Sequence, residues 1–127
     1  MAIRLRFVIA ALVIGGPIDT TSATPTGTDL VNACGAAVRA LDGTQLSTSE
    51  SEQALWCGAY MSGLVDGFGV SPPRVNGRQV LCLPEQGIDN GQAVRIVTKW
   101  LREHPEHLHE SGRVEAMIAL TKAFPCP

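Results

Sequence analysis

Residues 82–126 read CLPEQGIDNGQAVRIVTKWLREHPEHLHESGRVEAMIALTKAFPC, and this stretch decides the fold. Apolar side chains recur at helical spacing on both sides of His104-Pro105, and a residue before proline is driven out of the α region. The pattern therefore predicts two helices that meet at this dipeptide. Asp89 is placed to cap the first of them, and Pro105 to serve as the first residue of the second.

Both predicted helices have an apolar stripe that a core would bury. The stripe of the first, the third helix of the chain, consists of Ala93, Val94, Ile96, Val97, Trp100 and Leu101. The stripe of the fourth helix, which we expect to run to about Phe124, consists of Val114, Met117, Ile118, Thr121 and Phe124. Side chains spaced three and four residues apart share one face of a helix, so each stripe predicts the buried side.

Two further helices are predicted upstream. The first extends from Asp29 to Leu41, with Thr28 as its N-cap. The second follows a loop rich in serine and threonine, begins with a capping box formed by Ser49 and Glu52, and continues to about Phe68. The predicted fold is all-α: a small bundle of four helices arranged as two antiparallel helical hairpins.

The segment between the two helical hairpins is irregular. Pro72-Pro73 cannot lie inside a helix, and Asn76-Gly77 is a signal for a tight turn. We therefore expect a short β-hairpin or an ordered loop within residues 69–81.

The four cysteines predict a disulfide framework if the chain is exported. Four cysteines allow three pairings, and their number alone does not choose between them. Cys34 and Cys57 lie at equal distances from the loop between the first two helices, and Cys82 and Cys126 at equal distances from His104. Residues equidistant from the turn of an antiparallel hairpin face each other, so we predict Cys34–Cys57 and Cys82–Cys126.

The first 23 residues have the layout of a secretory signal peptide. Arg4 and Arg6 precede the apolar run FVIAALVIGG at residues 7–16, and small side chains lead to Ala23. Ten residues rise only about 15 Å as a helix, half of a bilayer's hydrocarbon core. We therefore expect residues 1–23 to be removed, and residues 24–127 to form one exported domain that does not associate with a membrane.

Composition and charge exclude several classes of protein. The chain is 45% hydrophobic and 17% charged, which is not typical of a disordered segment. Its net charge is −2, and without residues 1–23 the 8 basic and 11 acidic residues leave −3. An acidic domain of this kind has no electrostatic signature for nucleic acid.

The catalytic and metal-binding residue types of the chain form no pattern that favours an enzyme or a cofactor. The chain has no G-x-S-x-G or H-E-x-x-H motif. His104 and His107 could share a metal or a proton, but histidines at a helix boundary beside glutamates are more simply exposed surface residues. Asp66, Asp89 and Glu115 are interpreted as helix caps or a solvated face.

The order and spacing of several motifs resemble the Rap/Tai family of immunity proteins. The shared features in residues 82–126 are Cys82-x-Pro84, the Trp100-Leu101-x-x-His104-Pro105-Glu106 turn and the terminal Phe-Pro-Cys. The first half adds Cys34 and the pattern W-C-G-x-Y-x-x-G over residues 56–63. The resemblance covers nearly all of residues 24–127.

This resemblance implies a periplasmic protein with an HdeA-like helical fold and, in many members, a homodimer. Such proteins bind cell-wall amidases delivered by type VI secretion and block the active-site groove. The resemblance brings no catalytic residues to this chain. As the candidate contact with the amidase we take the irregular segment 71–80, with Ser71, Arg74, Asn76 and Arg78 as its hydrogen-bonding residues.

Two alternatives stay open at this point. The HdeA-like size and class would also suit a periplasmic acid-stress chaperone, which would loosen at low pH and suppress aggregation of client proteins. An unrelated binding module of the cell envelope could share only the scaffold, because fold does not fix function.

Overall fold

A computed structural model describes residues 24–127. The predicted signal peptide lies outside the described residues. The helices are α1 (Gly27–Leu41), α2 (Thr48–Val70), α3 (Asn90–Glu103) and α4 (Gly112–Ala123), and the two short strands are β1 (Arg74–Val75) and β2 (Arg78–Gln79). No helix in this part of the chain is both long enough and apolar enough to cross a membrane.

The four helices form a bundle, as predicted. α1 is the central helix: it packs along α2 and contacts α3 and α4, while α3 also packs on α4. The core contains apolar side chains from all four helices and from the segment before α3. The largest fully buried apolar ones are Leu30, Met61, Leu81, Leu101 and Leu120. The described residues thus form a small helical bundle with one two-stranded sheet.

Both predicted disulfides are present. Cys34 and Cys57 join α1 to α2, and their Cα atoms are 5.1 Å apart. Cys82 and Cys126 join the segment before α3 to the segment after α4, with Cα atoms 4.9 Å apart. The described residues contain no free cysteine.

The first two helices begin slightly earlier than predicted. The N-cap of α1 is Thr26, not Thr28, and its hydroxyl accepts from the N–H of Asp29 while the Asp29 carboxylate accepts from the N–H of Thr26. The capping box of α2 uses Ser47 and Glu50, not Ser49 and Glu52. Residues 47–52 read STSESE, so the capping-box motif occurs twice, and the prediction used the wrong copy.

The start of α4 was predicted wrongly. Pro105 begins a 3-10 turn over Pro105–His107, and α4 itself begins seven residues later, at Gly112. The intervening residues bind the start of α1: the carbonyls of Leu108 and Glu110 accept from the N–H groups of Thr28 and Gly27, both at 2.9 Å. These backbone bonds hold the segment in a non-helical path.

The buried face of α4 was also predicted wrongly. The residues of α4 that enter the core are Glu115, Ala116, Ala119 and Leu120. The stripe predicted to be buried lies on the outside, because Val114 is 39% exposed and Met117, Ile118 and Thr121 are only half-buried. Of that stripe, Phe124 does pack against the core.

Candidate functional site

The segment between α2 and α3 contains a β-hairpin whose two strands have two residues each, and Asn76-Gly77 forms its turn as predicted. Both turn residues have positive φ, 51° at Asn76 and 77° at Gly77, which is typical of a type I′ turn. Arg74 pairs with Gln79 and Val75 with Arg78 across the two strands. Because Gly has no Cβ, it takes such a φ without strain.

The base of the hairpin is attached to the bundle on both sides. The N–H of Ser71 donates to the carbonyl of Gly67 at 2.8 Å and ends α2. On the other side, Leu81 is buried and pairs with Pro125, and the N–H of Cys82 donates to the carbonyl of Phe124 at 3.0 Å. The Cys82–Cys126 disulfide secures the same connection. The hairpin therefore projects from a fixed base.

The structure brings three of the four candidate contact residues together. Arg74, Asn76 and Arg78 lie at the tip of the hairpin, and all three are exposed. Ser71 is also exposed but lies at the base, where it ends α2. The Arg74 guanidinium donates to the carbonyl of Gly77 at 3.1 Å, across the turn. Within residues 24–127, Arg78 forms no ion pair.

A groove between the hairpin and α4 was not anticipated from the sequence. It has a volume of about 240 Å³ and is lined by Val75, Val80, Met117, Ile118, Thr121 and Lys122. Val75, which lies beside the turn, is 57% exposed. Val75, Arg78 and Val80 share one side of the hairpin, because side chains alternate along a strand and paired residues point the same way. This alternation was the signal available in the sequence.

Two histidines of the cluster contact neighbouring groups of the fold. His104 stacks on Trp100 with ring centroids 3.6 Å apart, and its Nδ1 lies 2.8 Å from the Trp100 carbonyl oxygen, where it can donate. His107 faces Glu115, with 3.8 Å between Nδ1 and Oε1. Among the described residues, no group of three or more His, Cys, Asp or Glu side chains could hold a metal ion.

The three acidic residues interpreted as caps or a solvated face have different roles. Asp89 is the N-cap of α3, because its carboxylate accepts from the N–H of Gln92 at 3.0 Å. Asp66 is exposed on α2. Glu115 corrects the prediction: it is only 2% exposed, and its Oε2 accepts from the indole N–H of Trp100 at 2.9 Å.

These features define a small helical domain that is crosslinked by two disulfides and presents a hairpin on a fixed base beside an apolar groove. Residues 26–126 match the family model of the Rap1a immunity proteins, so the chain belongs to that family. Membership implies that the chain binds a cognate effector toxin, and such immunity proteins are typically inhibitors rather than enzymes. No curated protein and no solved structure matches the chain.

Proposed function

We propose that this protein binds a peptidoglycan amidase effector of type VI secretion and inhibits it by placing the hairpin of residues 71–80 in the active-site groove. The family supplies the general role, and the hairpin supplies a means of inhibition. A narrow two-stranded projection on a fixed base enters a cleft with little loss of conformational entropy. The observation that carries the proposal is the type I′ turn with Arg74 and Arg78 beside it.

The chemistry at the tip suits a polar cleft. Two guanidinium groups offer several N–H donors each, and the Asn76 amide can both donate and accept. Arg74 already donates to Gly77, which restrains its side chain at the turn. Arg78 is therefore the side chain best placed to bind carbonyl or carboxylate groups of the enzyme.

The proposed compartment is the periplasm. Residues 1–23 would act as the export signal, and the two disulfides fit an oxidising compartment. Peptidoglycan amidases act in the same space. A homodimer is also part of the proposal, and the mass of the purified protein by light scattering tests it.

Periplasmic co-expression with a set of amidase effectors tests the function. The full chain should rescue cells from lysis by at least one effector and form a complex with it. Alanine substitution of Arg74, Asn76 and Arg78 together should abolish rescue. Because all three are exposed, the thermal midpoint should fall only slightly, by the strain of alanine at the positive φ of residue 76. The matched control, Lys99→Ala on α3, should rescue fully.

A second variant changes the shape of the tip rather than its chemistry. Gly77→Ala places a Cβ on a residue with φ of 77°, which costs about 1–2 kcal/mol in the turn. It should weaken inhibition, whereas Asn76→Gly should preserve it. Full rescue by both the triple alanine variant and Gly77→Ala would show that the hairpin does not inhibit. Failure to bind any amidase, together with suppression of client aggregation in acid, would favour the chaperone alternative.

A further inference from the structure

The outer side of α4 is apolar, and the hairpin lies beside it without filling the groove between them. Val114, Met117 and Ile118 do not pack against the hydrophobic core, whereas Ala116, Ala119 and Leu120 on the inner side belong to it. An amphipathic helix ordinarily turns a polar side to solvent. Apolar residues on both sides therefore indicate that the outer side has a second contact.

The hairpin extends this outer side into a continuous surface. Both elements line one groove, and Arg78 lies beside it on the same side of the hairpin as Val75. We call this surface the hairpin–α4 face and define it by Val75, Arg78, Val80, Met117, Ile118 and Lys122. Arg113 lies one helical turn before Met117 and so borders the same face. It is also close to Tyr60: burial raises the pKa of the Tyr60 hydroxyl, and the Arg113 charge offsets part of that effect.

Charge is distributed unevenly around the domain. Residues 71–80 and 112–123 contain four of the eight Lys and Arg residues of the described chain: Arg74, Arg78, Arg113 and Lys122. The same two segments contain one acidic residue, Glu115, which is buried and points inward. The remaining described residues contain ten acidic and four basic side chains. Arg78 and Lys122 lie on the hairpin–α4 face and Arg113 borders it, whereas Arg74 lies on the opposite side of the hairpin with Gln79. A domain with a net charge of −3 thus has basic side chains beside the apolar groove.

We infer that the hairpin–α4 face docks an acidic protein surface that inserts an apolar side chain between Val75 and Ile118. This inference rests on the proposed function, because the partner would be the amidase effector, and it adds the partner's chemistry: carboxylates around an apolar projection. A basic border around an apolar centre matches the usual anatomy of an interface. Complementary charge chiefly raises the association rate and selects the partner.

Affinity measurements on the complex from the co-expression screen test the inference. Lys122→Glu should weaken binding at least tenfold, mainly through slower association, and the effect should shrink in high salt. The matched control is Lys99→Glu, an equal charge change on an exposed lysine of α3. Ile118→Asp should also weaken binding at least tenfold, whereas Leu55→Asp, at a 75% exposed position on α2, should change it less than twofold.

Photo-crosslinking in the periplasm gives an independent measurement. A photoreactive amino acid at Ile118 should form an adduct with the amidase, and one at Leu55 should not. If the amidase binds but Lys122→Glu and Ile118→Asp leave affinity unchanged, the inference is wrong and the proposed function stands. An Ile118 adduct with a different acidic protein, weakened by Lys122→Glu more than by Lys99→Glu, supports the docking surface and contradicts the amidase. The absence of an Ile118 adduct, or an adduct with a second copy of the chain, overturns the inference.

Discussion

The indole N–H of Trp100 donates to the buried carboxylate of Glu115 at 2.9 Å and so links α3 to α4 inside the bundle. His107 completes the surroundings of this carboxylate, with Nδ1 3.8 Å from Oε1. The His104 ring stacks on one face of the Trp100 ring. The HPEH turn and α3 thus meet α4 at a buried polar site, and Thr98 is the other buried polar side chain of the described core.

This contact predicts different effects for two substitutions of Glu115. Glu115→Ala leaves the Trp100 N–H without its acceptor, and an unsatisfied buried donor costs about 1–3 kcal/mol. Glu115→Gln keeps an acceptor oxygen and should lose less. Urea unfolding of the two variants and the wild type measures the difference. Equal stability of all three would show that the carboxylate does not stabilise the bundle.

The two disulfides should contribute unequally to stability. The Cys34–Cys57 bond spans 23 residues and the Cys82–Cys126 bond spans 44. In the chain-entropy model such loops contribute about 3.4 and about 4 kcal/mol to the free energy of unfolding. Paired Cys→Ala variants, compared by denaturant midpoint, test the order. The Cys82/Cys126 variant should also lose inhibition sooner on warming, because it loosens the hairpin base. Equal loss of inhibition in the two variants would contradict this.

The capping boxes should lose their contribution in acid. Hydrogen bonds from Thr26 lower the pKa of the Asp29 carboxyl, and the bond from the Thr26 backbone N–H has the largest effect. Hydrogen bonds from Ser47 lower the pKa of the Glu50 carboxyl in the same way. A carboxyl whose pKa is lower in the folded state stabilises the protein above its unfolded pKa. That stabilisation disappears as the pH falls through the folded pKa, below about 4.

The double variant Asp29→Asn, Glu50→Gln should therefore be less stable than the wild type at pH 7. At pH 2–3 the two proteins should become nearly equal. Urea midpoints at both pH values provide the measurement, and Glu52→Gln serves as a control because Glu52 lies outside the box. A constant difference at all pH values would mean that the carboxylate charge is not what matters.

Gly112 should tolerate no side chain. A Cβ at this position would lie 2.9 Å from the carbonyl oxygens of Pro25 and Thr26, both of them backbone atoms. We expect Gly112→Ala to destabilise the domain by about 1–3 kcal/mol, as overpacking usually does. Gly63→Ala in the middle of α2 is the matched control, because nothing lies within 4 Å of its Cβ. That control should stabilise the helix by about 0.5–1 kcal/mol. Thermal unfolding of both variants decides between these outcomes.

Local chemistry made much of the fold predictable. Asn76-Gly77 predicted the hairpin because few dipeptides accept positive φ twice in succession. The cysteine pairing followed from the symmetry of the helical hairpins, and Asp89 marked the start of α3. Each of these inferences depends on residues close in sequence or on the direction of a helix. The exposed cluster of Arg74, Asn76 and Arg78 could be anticipated for the same reason.

α4 shows where this reasoning fails. Its sequence has two faces that a core could bury, and the one with larger side chains, Met117 and Ile118, was the natural choice. The fold buries the face with Ala116 and Ala119, because small side chains let α4 approach its neighbours closely. The Glu115 carboxylate also lies on that face, and a charged group is not expected in a core. Its burial becomes possible because the Trp100 N–H donates to it. Tertiary contacts of this kind leave no local trace. Strand alternation placed Val75 and Val80 on one side of the hairpin, but the approach of α4 that completes the groove could not be predicted.

The backbone around Thr26 has a consequence for how the polypeptide is trimmed. The carbonyl of Pro25 accepts from the N–H of Gly112 at 2.7 Å, and Thr26 bridges to Ser111. A protease that cut after Pro25 would remove the carbonyl that accepts from Gly112 and so detach the start of α1 from the start of α4 at this point. The structure therefore sets a downstream limit for any processing that keeps this contact: the cut must lie before Pro25, and an affinity tag at this end requires a spacer before that residue.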